Sequence, residues 1–165
     1  VNFYQRLGFL VLGSRLRRLS ESFLSGINRV YAAKGIEFDA SWFPVFYLLS
    51  EHEELSIKEL SDETGVSHPA ASQLISGLKK RGLVKTKTSR DDGRKQLITL
   101  TPKGTELLGQ VQPVWQAILL TMGEFAGSEE EGLHLLKAMG VFEQAFQKVS
   151  LPDAILKNLN LTHHG

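Results

Sequence analysis

Cysteine is absent from the 165 residues, which excludes a disulfide framework, a thiolate zinc site, a cysteine nucleophile and a thiol-based oxidation sensor. Long apolar runs are also missing. The longest, Trp42 to Leu49, has eight residues with Pro44 inside it, far short of the roughly 20 needed to span a bilayer. Near the start, Phe9 to Leu12 is too short for a signal sequence's apolar segment, and Arg15, Arg17 and Arg18 follow it where a signal would place charge before. No membrane partner and a cytoplasmic location are therefore expected. The five histidines, His52, His68, His134, His163 and His164, contain no His-x-x-x-His pair, so neither a metal nor a cofactor is expected. A phosphate-cradling loop is lacking too, because Gly77 and Gly82 enclose Leu78 to Arg81 with no Gly-Lys-Ser/Thr ending. Ser, His and Asp residues such as Asp62, Ser67 and His68 fall at helix-capping positions, and no enzyme activity is expected.

A chain with 42% hydrophobic and 22% charged residues has the composition of an ordinary globular protein with one real core. Apolar residues recur at Phe9, Leu12, Leu16, Leu19, Phe23, Ile27 and Val30, a one-sided stripe that predicts a helix of about 30 residues. A second stripe, Leu107, Val111, Trp115, Ile118, Met122 and Phe125, follows Thr101 as N-cap and Pro102 as first helical residue, with a kink expected at Pro113. A third begins with the capping box Ser128 and Glu131 and runs through Leu136, Met139, Phe142, Phe146 and Val149 to Pro152. The tail beyond Asp153 reads as one short amphipathic turn and frayed polar residues.

The middle of the chain is built differently. Asp39 or Ser41 can cap a helix through Leu49, and Ser56 with Glu59 forms a capping box for a short helix ending near Thr64 and Gly65. Ser67 caps a third helix that is expected to bury Leu74, Ile75 and Leu78. Two alternating runs, Leu83 to Thr88 and Gln96 to Leu100, then flank a charged loop with an Asp-Gly pair. Helix, turn, helix and hairpin is the winged-helix order. The expected fold is mainly α with a small β-hairpin wing: a winged helix-turn-helix domain at 37–101 flanked by an N-terminal dimerisation helix at 1–36 and C-terminal dimerisation helices and tail at 102–165.

Excess charge of one sign is missing overall, with 19 Lys+Arg against 18 Asp+Glu. It is nonetheless concentrated. Ser67 to Gly104 contains nine cations and two acids, a net +7, which leaves ten cations and sixteen acids, a net −6, for the rest of the chain. Most charge runs are solvated faces, but this one is confined to the helix end and hairpin that a winged helix lays on DNA. The two long helical regions expose more apolar surface than so small a module can cover, and pairing of two chains is the natural burial.

The ordered pieces Leu55-Ser56-Ile57-Lys58-Glu59-Leu60, Gly65-Val66-Ser67, Leu78-Lys79-Lys80-Arg81-Gly82-Leu83-Val84, Asp91-Asp92-Gly93-Arg94 and Leu100-Thr101-Pro102-Lys103-Gly104 together resemble the MarR family of bacterial transcription regulators. The flanking long helices are similar to those that interlock in that family's homodimers. The resemblance implies a regulator of double-stranded DNA, a repressor, acting as a homodimer on a pseudo-palindromic operator. A winged-helix module that binds protein partners is the other reading. In the DNA-binding reading, Ser67, His68, Pro69, Ala70 and Gln73 lie near base edges, with Ser72 and Ser76 nearby, and Gln73 is the best candidate for a bidentate contact to adenine. By resemblance, Arg94 occupies the wing's minor-groove position and Asp92 orients it; Arg90, Lys95, Lys79 and Lys80 would meet phosphates. The pattern departs from the family at Gly93, where another Arg is common. Gly77 weakens the recognition helix, which has no Arg before Lys79. The resemblance also implies a small aromatic or anionic effector, for which Trp42, Phe43, Phe46, Tyr47 and Trp115 are candidate lining residues and Arg15 or Arg18 a candidate anion partner.

Overall fold

Residues 3–89 and 95–162 are described by the structure, a computed structural model. Two compact units divide the chain, Val1–Val114 and Trp115–Gly165. The first begins with α1 (Phe3–Leu7), a 3-10 turn (Gly8–Val11) and α2 (Leu12–Ala33). The α-helix expected from Phe9 therefore starts only at Leu12, because Phe9–Val11 belong to the 3-10 turn that opens at Gly8, φ +55°. Most of the α2 stripe is solvent-facing in the single chain, with Leu19 63% exposed and only Tyr31 buried on this helix.

After a 3-10 turn at Ala40–Trp42, capped by the Asp39 carboxylate accepting from Ser41 N–H, α3 runs over Phe43–Glu51. Strand β1 (Leu55–Ser56) leads into α4 (Ile57–Thr64), and α5 (His68–Lys80) follows. The capping box at the head of α4 is complete: Glu59 N–H donates to Ser56 Oγ at 3.1 Å, while Ser56 N–H donates to the Glu59 carboxylate at 2.7 Å. Gly65 ends the helix at φ +68°, which a side chain would resist. Strands β2 (Val84–Thr88) and β3 (Gln96–Leu100) form the wing, antiparallel with Thr86 opposite Ile98. The sheet has a third member that the alternation pattern did not reveal. Two-residue β1 pairs with β3, Leu55 opposite Ile98, and a strand that short carries no readable period.

The core of this unit gathers Val45, Phe46, Leu60, Ala71, Ile75, Leu78, Ile98 and Val111, all at most 2% exposed. Leu74 is only half-buried, and Ala71 takes its expected place, because positions 71, 75 and 78 share one helix face. Beside this core lies an aromatic cluster in which Phe38 meets Tyr31 and Phe46, each with ring centroids 5.0 Å apart.

Helix α6 (Pro102–Phe125) starts as expected. Thr101 Oγ accepts from Gly104 N–H at 3.1 Å and donates to the Gly82 carbonyl at 2.6 Å, fastening the helix start to the end of the recognition-helix turn. The helix continues through Pro113, and the division between the two units follows Val114. In the second unit, Ser128 caps α7 (Glu129–Lys148), and α8 spans Leu151–Thr162. The expected short turn at the tail is therefore a twelve-residue helix. Pro152 does not stop it because a proline in the first turn gives up an N–H that has no helical partner, and Ser150 Oγ accepts from Asp153 N–H.

Candidate nucleic-acid interface

Two opposite faces of α5 divide its labour. Ala71, Ile75 and Leu78 are buried and anchor the helix, while Pro69, Gln73, Ser76 and Lys80 recur on the far side and are exposed. His68 and Ala70 are also exposed at the N-terminal end, and Ser72 is half-buried at the flank. Ser67 caps the helix by accepting from Ala70 N–H at 3.4 Å, and Pro69 fits in the first turn. Of the polar residues expected near base edges, Gln73 and Ser76 therefore share the outward side, and Ser67 and His68 are exposed at the helix start.

The wing follows immediately. Ser89 N–H donates to the Lys95 carbonyl at 2.8 Å, and Gln96 Nε2 to Thr88 Oγ at 3.1 Å, which closes the strands beneath the loop. Arg90, Asp92 and Arg94 lie outside the described residues.

The cations do not all point outward unpaired. Lys95 Nζ donates to Glu59 Oε1 at 2.8 Å, Lys87 pairs with Glu54, and Lys79 Nζ donates to Thr86 Oγ at 2.9 Å. Lys103 reaches the Arg81 carbonyl, and the Arg81 guanidinium lies 5.0 Å from the Trp42 ring centroid. Lys80 and Lys85 are exposed and make no ion pair among the described residues. Lys95, Ser56 N–H and Ser56 Oγ together hold the Glu59 carboxyl down at about 2 from its ordinary 4.5, since each donor favours the charged form. Sequence reasoning found Glu59 as half of a capping box but missed its second partner, thirty-six residues away; nothing in local spacing signals such a pair. Glu54 and Thr86 were missed for the same reason.

The residues named for an effector have different surroundings within their own units. Trp42 lines a cleft of about 290 Å³ with Gly35, Glu37, Arg81, Leu83, Lys103, Glu106, Leu107 and Gln110. Phe46 is fully buried and belongs to the core. Phe43 and Tyr47 are exposed, their rings 5.4 Å apart, with Tyr47 hydrogen-bonded to Glu51. Arg15 is exposed, and Arg18 lies over the Tyr4 ring. Trp115 is buried and falls in the second unit. Among the described residues no cluster of His, Asp and Glu is arranged to hold a metal ion, and no helix is long and apolar enough to cross a membrane.

A capped helix with one anchored and one polar outward face, followed by a hairpin that pairs with the strand ahead of α4, defines a winged-helix domain. Residues 36–95 match the MarR family model. The HTH-type transcriptional repressor IacR of Pseudomonas putida is 27% identical over 106 residues, covering 64% of this chain and 62% of that protein. The chain thus spans less than two thirds of that relative's length. Among solved structures, Staphylococcus aureus MepR in its DNA complex superposes with a TM-score of 0.71 at 16% identity, over 81% of this chain and 96% of that one. Bordetella bronchiseptica BpsR, whose DNA binding is regulated by 6-hydroxynicotinic acid, gives 0.67 at 22% identity, over 80% and 92%. At these identities the structural likeness establishes the fold. The matched family and the repressor are transcription regulators, not enzymes.

Proposed function

We propose that the protein is a DNA-binding transcriptional regulator, a repressor that acts as a homodimer on a pseudo-palindromic operator and is released by a small aromatic or anionic effector. The observation that carries the DNA-binding part is the outward face of α5, where Pro69, Gln73, Ser76 and Lys80 stand opposite the buried anchor residues. An α-helix presenting such a face fits the major groove, with its N-terminal residues nearest the bases. Gln73 reads an adenine, Lys79, Lys80 and Arg90 approach phosphates, and Arg94 of the wing enters the minor groove with Asp92 orienting it. The repressor relative and the MepR complex agree with this reading.

Residues 37–101 serve as the DNA-binding lobe, and 1–36 and 102–165 as the dimerising parts. Support for pairing comes from apolar side chains that a single chain leaves in solvent. Leu19 on α2 and Leu135, Leu136, Phe146 and Ile155 in the second unit are each more than half exposed, and apolar surface on this scale marks an interaction face. The effector part rests on BpsR and on the Trp42 cleft, where Arg81 and Lys103 supply cations.

Selection of bound fragments from a random duplex library tests the proposal. The expected product is an inverted repeat with half-sites about one helical turn apart. About 6 to 8 phosphate contacts per dimer weaken binding roughly a thousandfold or more between 50 and 200 mM salt. No enrichment and a flat salt response would replace this reading with a winged-helix module for protein partners.

A further inference from the structure

The wing of this domain is braced from both sides by carboxylates that flank β1. Glu54 stands just before the strand and pairs with Lys87 of β2; Glu59 stands just after it, at the third position of α4, and pairs with Lys95 at the foot of β3. Glu59 is held in turn, because one of its oxygens accepts from both Ser56 N–H and Ser56 Oγ at 2.7 Å while the other takes Lys95. A side chain tied by three donors has lost its freedom already, so it restrains Lys95 at little added entropic cost. Lys95 borders an open hollow shared with Lys58, His68 and Gln96, at the junction of α4, α5 and the wing. Lys58 on the same hollow is itself paired with Asp62.

We propose that Glu59 is a positioning residue that sets operator selectivity: it withholds Lys95 from DNA phosphates and fixes the wing's base to the first helix of the helix-turn-helix. This rests on the DNA-binding reading above. Phosphate contacts add affinity for every sequence alike, so a lysine kept out of them lowers random binding, and a wing held at one position keeps its tip in register with α5. Glu59 therefore raises the ratio of operator to random affinity without touching a base.

The test uses the full chain and two variants, each checked for retained helicity and urea midpoint. Glu59→Gln keeps an oxygen for the Ser56 cap but loses the charge that holds Lys95. Random-duplex binding is expected to tighten severalfold, the salt slope to steepen by about 0.9 for each lysine released, and the operator-to-random ratio to fall. Lys95→Met leaves the capping box intact. It is expected to lower the ratio while leaving the salt slope of the wild type unchanged, because Lys95 makes no phosphate contact. An unchanged slope and ratio in Glu59→Gln overturns the proposal, and so does a slope made shallower by Lys95→Met. Failure of the wild-type protein to bind random duplex with any salt dependence is a separate result, which removes the DNA-binding reading itself.

Discussion

Gly104, on the first turn of α6, packs closely against the backbone of Leu83, just after the turn that ends α5. A Cβ placed there would lie 2.1 Å from the Leu83 carbonyl oxygen, 3.1 Å from the Leu83 carbonyl carbon and 3.1 Å from Leu100 Cδ2. The first distance is more than about 1 Å inside ordinary van der Waals separation. The obstacle is backbone, and it is held: the same Leu83 carbonyl accepts from Thr101 N–H at 3.0 Å. Gly104→Ala therefore has to push α6 off its seat. An exposed Gly→Ala change inside a helix gains about 1 kcal/mol, whereas overpacking costs about 1–3 kcal/mol and more where backbone must move. The balance expected from these figures is a net loss of up to about 2 kcal/mol, against the roughly 5–15 kcal/mol that holds a domain folded. Gly77 is the matched control: it lies inside α5 with no heavy atom within 4 Å of its virtual Cβ, so Gly77→Ala should stabilise by up to about 1 kcal/mol. Urea unfolding followed by circular dichroism at one fixed protein concentration measures both, since self-association would otherwise shift the midpoint. A Gly104→Ala protein as stable as the wild type would show that this seat is soft and refute the reasoning.

Gln73→Ala should relax preference at one base pair in each half-site, with a loss of about 1–3 kcal/mol of discrimination; an unaltered binding logo removes its reader role. Arg94→Ala should weaken operator binding while helicity and sedimentation as a dimer stay unchanged, and equal affinity would remove the wing contact. Acid stability has a defined direction: the Glu59 carboxyl titrates at about 2 in the folded chain against an ordinary 4.5. Its contribution is present above about 4.5 and drains away as pH falls toward 2, because the unfolded chain takes up the proton first. Urea midpoints between pH 6 and 2 should therefore fall less steeply for Glu59→Gln than for the wild type, and parallel curves would contradict the assignment.

Elements written in short-range signals were legible before any coordinates. Ser56 with Glu59, Ser67 with Ala70 N–H, and Thr101 ahead of Pro102 all cap the helices they announce, and the alternating runs of the wing pair as expected. Such signals act within one turn of helix or one strand, where the backbone groups to be satisfied are set by the residue's own neighbours. Errors fell where local rules conflict or are silent. The α-helix expected from Phe9 starts only at Leu12, the tail read as a short turn is a helix that opens around Pro152, and two-residue β1 was too short to show a pattern.

The outward set on α5 was readable because helical spacing alone places Gln73, Ser76 and Lys80 on one side once the capped start is known. The partners of the cations were not. A count of charge along the chain treats Lys87 and Lys95 as part of a free basic run, whereas folding brings Glu54 and Glu59 against them. Composition and periodicity thus determined the order of elements and the caps, since these depend on neighbours along the chain. Which lysines remain free to meet a phosphate, and which aromatic side chains are core, was decided only by three-dimensional packing. Coulombic and van der Waals contacts depend on distance in space, and residues far apart in sequence carry no local mark of the partner they will meet.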